Sequence, residues 1–92
     1  MNGNKLSKTL KIVNAKGLHA RAAAAFVRTA DSFEAEITVE RNGLSVSGHS
    51  IMGLMMLGAA CGSEINVSCA GNDAREALDA LEKLVNDKFN EN

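Results

Sequence analysis

The side chains best suited to chemistry stand close together at His19 and Arg21. Gly17 and Leu18 precede them and a run of alanines follows, so a helix is predicted to begin beside His19. Backbone N–H groups in the first turn of a helix have no partner inside the helix and attract anions. A phosphoryl group on the imidazole would meet these donors, and the Arg21 guanidinium matches phosphate oxygens. From these residues alone, the alternative is a capping or packing histidine beside a solvated arginine.

A second distinctive segment, residues 48–58, is almost entirely apolar after Ser50. Serine is a favoured N-cap, so a short helix is predicted over residues 51–57. A helix of barely two turns cannot bury all of its faces against one sheet, so part of this apolar surface must be exposed. Exposed methionines suit docking to several partners because their side chains repack at low cost. We expect Leu54 and Leu57 to belong to the core.

The remaining side chains do not suggest a catalytic or metal site. The chain has two histidines, no cluster of carboxylates and no phosphate-cradling loop, so neither a metal nor the pocket of a hydrolase or kinase is predicted. Cys61 and Cys69 have seven residues between them, a spacing that matches no CxxC redox or zinc motif. We interpret both as small buried hydrophobic residues, with a redox-sensitive thiol as the alternative.

The composition bounds the size and the partners of the protein. With 92 residues, 46% of them hydrophobic, we expect one compact domain over residues 1–92. The net charge is −1 and there is no Trp or Tyr on which bases could stack, so nucleic acid is not expected as a partner. No apolar run reaches the roughly 18 residues that span a bilayer, and no signal pattern opens the chain. We expect a cytoplasmic protein without membrane insertion.

Hydrophobic periodicity predicts the elements that position these residues. Apolar and polar residues alternate in four segments, as in half-buried strands, and apolar residues recur at helical spacing in three others. Asn42-Gly43 is a favoured type I′ hairpin turn, and Asp73 followed by Glu76 resembles a capping box. The predicted fold class is α+β, an open-faced two-layer β-sandwich in which three helices cover one face of a four-stranded antiparallel sheet. In the order β-α-β-β-α-β-α, the predicted elements cover residues 6–13, 20–30, 34–41, 44–47, 51–57, 65–69 and 74–89.

Two sequence blocks are similar to one known family. Residues 17–21 (GLHAR) with the alanines after them resemble the phosphorylation-site signature of the HPr family of the phosphoenolpyruvate phosphotransferase system. Residues 48–58 (GHSIMGLMMLG) resemble the regulatory serine segment of the same family. The resemblance implies an HPr-like fold in which His19 carries a phosphoryl group on its Nδ1 nitrogen and Arg21 assists the transfer.

The resemblance also implies regulation and partners. A dedicated kinase, HPr kinase/phosphorylase, would phosphorylate Ser50 and so weaken transfer to the histidine. Phosphorylated Enzyme I would donate to His19, and a downstream component, either a permease component of the EIIA type or a nitrogen-branch protein, would receive the phosphoryl group. Enzyme I and the kinase would contact Ile51, Met52 and Met55.

By this resemblance the protein is a carrier rather than an enzyme, needs no cofactor and acts as a monomer. The alternative from a different class is a regulatory binding module, which controls a kinase or transcription factor through its phosphorylation state without relaying phosphate onward.

The chain departs from the family pattern at two positions. Ala22 stands where sugar-transport members usually have proline. Alanine there is reminiscent of nitrogen-related relatives and of variants from bacteria that lack complete sugar-uptake systems. Alanine is the best helix former, so the helix should persist. His49 stands where a basic residue is common, and it is either a partner for phosphoserine when protonated or an exposed turn residue with no task. Ser50 itself is either a regulatory site or only an N-cap.

Overall fold

The computed structural model describes residues 5–91. Four strands form one antiparallel sheet in the order β1-β4-β2-β3, and the helices pack against it. The predicted fold class and the predicted order of elements are both confirmed. Within residues 5–91, none of the helices is long and apolar enough to cross a bilayer. In chain order the elements are β1 (Lys5–Lys11), α1 (Ala20–Ala30), β2 (Glu36–Arg41), β3 (Leu44–Ser47), α2 (Ile51–Met56), β4 (Glu64–Ala70) and α3 (Ala74–Asn86), followed by a 3-10 turn at Lys88–Asn90.

The core lies between one face of the sheet and the helices. Along β4, buried residues alternate with less buried ones, as expected of a strand with one face toward the core and one toward water. The small side chains of α1 let this helix approach its neighbours closely, and Phe26 is fully buried. The buried residues of β4 and α1 are Ile65, Val67, Cys69, Ala22, Ala23, Phe26 and Ala30.

The strand predictions are confirmed with differences at the ends. Asn42 and Gly43 have φ values of 53° and 85°, both positive as a type I′ turn requires, and they join β2 to β3. β1 ends two residues before the predicted position. The Ile12 N–H instead donates to the carbonyl of Ser63 at 2.8 Å, beyond the last paired residues of the β1–β4 ladder.

The capping box predicted at Asp73 is wrong. The side chain of Asp73 makes no capping bond to α3. Its Oδ2 accepts a hydrogen bond from the Glu34 N–H at 2.7 Å, while the Asp73 N–H donates to the Glu34 carbonyl at 3.2 Å. This exchange ties the start of α3 to the segment before β2, and β2 begins only at Glu36. The partner is 39 residues away in sequence, so a local pattern could not reveal it.

The segment after α3 differs most from the prediction. α3 ends at Asn86 rather than near residue 89. Lys88, Phe89 and Asn90 then have φ values of 59°, 55° and 61°, in the left-handed region that residues with a Cβ rarely occupy. Phe89 is buried against the core and anchors this reversal of the chain. The reversal carries Glu91 to the loop in front of α1.

The two cysteines occupy different environments. Cys69 is buried in β4 as predicted, and this burial raises the pKa of its thiol to about 11. The prediction that Cys61 is buried is wrong, because Cys61 lies exposed in the turn between α2 and β4.

Candidate functional site

His19 is the N-cap residue of α1, as the sequence predicts. Its backbone is extended, with φ −81° and ψ −176°, and its carbonyl accepts the first helical hydrogen bond from the Ala23 N–H at 2.8 Å. The side chain makes no capping bond. The ring therefore remains partly exposed beside the unpaired N–H groups of the first turn, with 28% of its surface accessible.

Gly17 fixes the loop that leads into His19. Its φ is +69°, and a Cβ at this position would lie 2.6 Å from the carbonyl oxygen of Ala59. Glycine alone avoids both the positive φ penalty and this collision. The next residue, Leu18, is buried and donates its N–H to the same carbonyl at 2.8 Å. The loop before α1 is thereby anchored to the segment that follows α2.

Two residues were missed by the sequence analysis, namely Glu91, which contacts the imidazole of His19, and Asn14, which holds Glu91. Oε2 of Glu91 lies 2.6 Å from Nε2 of His19, and Oε1 of Glu91 lies 3.0 Å from Nδ2 of Asn14. The same Nδ2 donates to the Gly17 carbonyl at 2.8 Å. Within the described chain, Nδ1 of His19 has no hydrogen-bond partner. No sequence signal marks Glu91, because its proximity depends on the left-handed reversal after α3.

A cleft next to this cluster carries positive charge. It has a volume of about 370 Å³, and its wall includes Lys16, Arg21 and Glu91. The side chain of Arg21 is exposed and forms no hydrogen bond or ion pair with any residue from 5 to 91. The structure thus brings Arg21 into the same cleft as the residue that holds His19, and its guanidinium is free to meet an anion there.

Ser50 is the N-cap of α2, which confirms the structural part of its predicted role. Its Oγ accepts a hydrogen bond from the Gly53 N–H at 2.9 Å. A Cβ on Gly53 would lie 3.1 Å from Cβ of Val46 and 3.2 Å from Oγ of Ser50, so a side chain at this position would crowd the cap.

The surface of α2 is apolar and largely exposed, as predicted for so short a helix. Met52 has 73% of its surface accessible, while Leu54 and Leu57 are buried in the core as expected. A cluster of exposed apolar side chains of this extent on a small protein is typical of a docking surface. We call it the α2 apolar surface, and it consists of Ile51, Met52, Met55 and Met56.

His49 is not the idle turn residue considered from the sequence, because its ring forms two hydrogen bonds. Its Nδ1 lies 2.6 Å from Oδ1 of Asp31, the C-cap residue of α1, and its Nε2 lies 3.2 Å from the carbonyl oxygen of Ala35. The hydrogen bond to Asp31 is the main cause that raises the pKa of His49. The ring is therefore engaged and links the segment before α2 to the end of α1.

A metal centre is not suggested by the geometry. Across residues 5–91, no group of three or more His, Cys, Asp or Glu side chains is placed to hold a metal ion. The chemistry available around His19 is that of an imidazole, backbone donors and cationic side chains.

The chain combines an open-faced β-sandwich with a partly exposed histidine at the head of its first helix, an arrangement suited to a small phosphocarrier protein. Residues 6–87 match the family described as the PTS HPr component phosphorylation site. The chain belongs to the HPr family of phosphocarriers of the phosphotransferase system.

Relatives and a solved structure agree with this assignment. The chain is 46% identical to phosphocarrier protein HPr of Neisseria meningitidis serogroup A over 86 residues, 94% of this chain and 97% of that one. It is 42% identical to phosphocarrier protein NPr of Shewanella violacea over 87 residues, 95% of this chain and 96% of that one. The crystal structure of HPr-C-His from Thermoanaerobacter tengcongensis superposes with a TM-score of 0.91 at 44% identity, covering 95% of this chain and 98% of that one.

Proposed function

We propose that His19 accepts a phosphoryl group on Nδ1 from phosphorylated Enzyme I and passes it to a downstream phosphotransferase component. The observation that carries the proposal is the placement of His19 at the N-cap of α1, with its ring partly exposed beside unpaired backbone donors. In this scheme the chain is a substrate of other enzymes rather than an enzyme. It acts as a monomeric single domain in the cytoplasm, where the donor chain starts from phosphoenolpyruvate.

The proposed transfer exchanges one phosphorus–nitrogen bond for another. The lone pair of Nδ1 attacks the phosphorus of the phosphohistidine on Enzyme I. The bond from phosphorus to the donor nitrogen breaks, and its electron pair remains on the donor ring. Nε2 of His19 keeps its proton, so the acceptor ring becomes a positively charged phosphoimidazole and the donor ring becomes neutral. Because the step is a direct exchange, alignment of the two rings is the main contribution of the proteins.

Positive groups near His19 stabilise the phosphoryl oxygens in this proposal. The first-turn N–H groups of α1 supply fixed donors that need no rearrangement during transfer. Arg21 supplies a guanidinium with two parallel donors, and Lys16 adds a second cation to the same cleft. We assign to Arg21 the stabilisation of the group in transit rather than the formation of the bond.

We propose that the α2 apolar surface docks Enzyme I, with Ile51, Met52 and Met55 in contact. Its support is the exposure of these three side chains on one short helix. α1 packs against α2, and Leu18, just before the head of α1, donates its N–H to the carbonyl of Ala59, just after α2. A partner seated on the end of α2 therefore lies close to the head of α1. Methionine side chains repack readily, which suits a carrier that must bind a donor and an acceptor in turn.

We propose further that HPr kinase/phosphorylase controls this docking by phosphorylating Ser50. A phosphoserine carries close to two negative charges at neutral pH. Ser50 immediately precedes Ile51 and Met52, which lose water when a partner docks. A hydrated dianion at that edge opposes their desolvation, so phosphorylation would weaken binding without unfolding the protein.

Ala22 favours a second candidate function in the nitrogen branch of the system. It is fully buried in the first turn of α1, at the position where sugar-transport members of the family usually have proline. The downstream acceptor would then be a nitrogen-branch protein instead of a permease component of the EIIA type. In that case the chain would act mainly as a regulatory module through its phosphorylation state.

A two-stage relay experiment tests the proposal. The protein is first incubated with Enzyme I and labelled phosphoenolpyruvate, then repurified and mixed separately with an EIIA-type component and a nitrogen-branch acceptor. We expect acid-labile label on the protein in the first stage and its release to one acceptor in the second. Label that forms but passes to neither acceptor would support the regulatory module, and absence of label would contradict the carrier function.

A further inference from the structure

Glu91 meets two hydrogen-bond donors at once, and this fixes how each partner is oriented. An ionised carboxylate can only accept hydrogen bonds. The hydrogen bond from His19, followed by that from Asn14, lowers the pKa of Glu91, so the group is ionised at neutral pH. Nε2 of His19 must therefore carry the ring proton whenever this contact is made. In the neutral imidazole, Nδ1 is then the nitrogen with the free lone pair.

The orientation of Asn14 supports the same assignment. Its Nδ2 donates to two acceptors, Glu91 and the Gly17 carbonyl. A flip of the amide would bring Oδ1 against these two acceptor oxygens, so the orientation of the amide is fixed. As a consequence Oδ1 is buried and accepts no hydrogen bond from residues 5–91. A buried acceptor without a donor destabilises a fold. Asn14 therefore leaves its Oδ1 unsatisfied while its Nδ2 holds the carboxylate of Glu91.

The backbone that delivers Glu91 is also in an uncommon conformation. Three successive residues with side chains, residues 88–90, lie in the left-handed region, and the buried ring of Phe89 fixes them. Conformations of this kind persist where the surrounding structure over-determines them, and they concentrate at functional sites. The reversal ends in the contacts of Glu91 with His19 and Asn14.

We propose that Glu91 is a positioning residue for phosphoryl transfer, which holds the ring proton on Nε2 and orients the ring so that Nδ1 faces the incoming phosphorus. The proposal rests on His19 being the phosphoryl acceptor. Glu91 forms no bond to the phosphoryl group, and the Nε2 proton stays in place while the phosphorus–nitrogen bond forms at Nδ1. Asn14 acts one step further out by holding the carboxylate.

Nitrogen NMR of the His19 ring tests the first half of the proposal. At about pH 8, the wild-type ring should show a protonated Nε2 and an unprotonated Nδ1 at well-separated shifts. Glu91→Ala removes the acceptor, and Glu91→Asp keeps the charge but shortens the reach. Both should move the two nitrogen shifts toward each other because the proton is then shared. Asp87→Ala removes a carboxylate of the same segment that pairs with Lys83 instead, and it should leave the shifts unchanged.

Single-turnover transfer from phosphorylated Enzyme I tests the second half. With Glu91→Ala and Glu91→Asp we expect the saturating rate to fall roughly tenfold while the half-saturating concentration of carrier changes less than about twofold. Asp87→Ala should match wild type. Unchanged ring shifts in both Glu91 variants, or a saturating rate that is unchanged or higher, would overturn the positioning role. Label on His19→Ala is measured in parallel, and it would overturn the acceptor assignment instead.

Discussion

The side chains of His49 and Asp31 are joined by a 2.6 Å contact between Nδ1 and Oδ1, which connects the segment before α2 to the end of α1. The two N-cap residues proposed for phosphorylation, His19 and Ser50, head these same two helices. The pair is exposed, so its contribution to stability is at most about 1 kcal/mol. The main effect of the pair is on geometry. It fixes the position of the segment that enters α2 by bonding it to Asp31, the C-cap residue of α1.

This pair predicts a pH dependence that NMR can resolve. The hydrogen bond to Asp31 raises the pKa of His49 above its ordinary 6.5, and Asp31→Asn should bring it down toward that value. Because the folded pKa is the higher one, the stabilisation is complete below about pH 6.5 and is lost as the pH rises through the folded pKa. Proton NMR titration of His49 in the two proteins measures this, and equal titration midpoints would contradict the contact.

Replacement of Arg21 should slow transfer without abolishing it. Arg21→Ala leaves His19 and the first-turn donors in place, so the acceptor still forms its bond to phosphorus. Loss of the guanidinium should lower the rate in both directions by a factor of about 10 to 100. Arg28→Ala, an exposed arginine in the last turn of the same helix, is the matched control and should transfer at the wild-type rate. Equal rates for both variants would show that Arg21 is only a solvated surface residue.

A charge on the α2 apolar surface should weaken docking while the fold is kept. Met52→Glu places a carboxylate on a side chain that is 73% accessible, so the melting temperature should change little. Binding to Enzyme I should weaken by a factor of about 10 or more, because the charge must be desolvated on docking. Thr9→Glu adds the same charge on an exposed position of β1 and should bind normally. Calorimetry with Enzyme I compares them, and equal affinities would exclude this surface as the interface.

A negative charge at Ser50 should act through docking rather than through turnover. Ser50→Asp keeps an N-cap acceptor, so circular dichroism and melting temperature should stay close to wild type, whereas Ser50→Ala should lose about 1 kcal/mol. With Enzyme I, the Asp variant should raise the Michaelis constant for the carrier more than it changes turnover. Phosphorylated Ser50 should show the larger effect, since it carries more charge. Identical Michaelis constants for phosphorylated and unmodified protein would rule out this form of regulation.

The sequence predicts features whose causes are local. The helix predicted over residues 20–30 coincides with Ala20–Ala30, because its alanines favour helix and its apolar face has helical spacing. The positive φ values of the hairpin turn follow from Asn42-Gly43, and Ser50 caps α2 through a bond to a residue three positions away. The helix, the turn and the cap each depend on residues that are close in sequence, so each can be predicted from the sequence alone.

Contacts between distant segments could not be predicted. Asp73 is a residue type that often caps helices, but its carboxylate instead accepts a hydrogen bond from the N–H of Glu34, 39 positions away. Glu91 reaches His19 across 72 positions, through a left-handed reversal that no residue type at positions 88–90 would suggest. The sequence therefore indicates His19 and Arg21 as the site, but the carboxylate that orients the ring becomes visible only once the chain is folded.

The central claim, that His19 accepts the phosphoryl group, is tested most directly by mass spectrometry after incubation with Enzyme I and phosphoenolpyruvate. Wild-type protein should gain one acid-labile phosphoryl group, and fragmentation should place it on His19. His19→Ala should keep the same circular dichroism spectrum and gain none, because no other side chain of residues 5–91 combines a nucleophilic nitrogen with the first-turn donors of α1. Acid-labile phosphate on His19→Ala at the wild-type level would contradict the account.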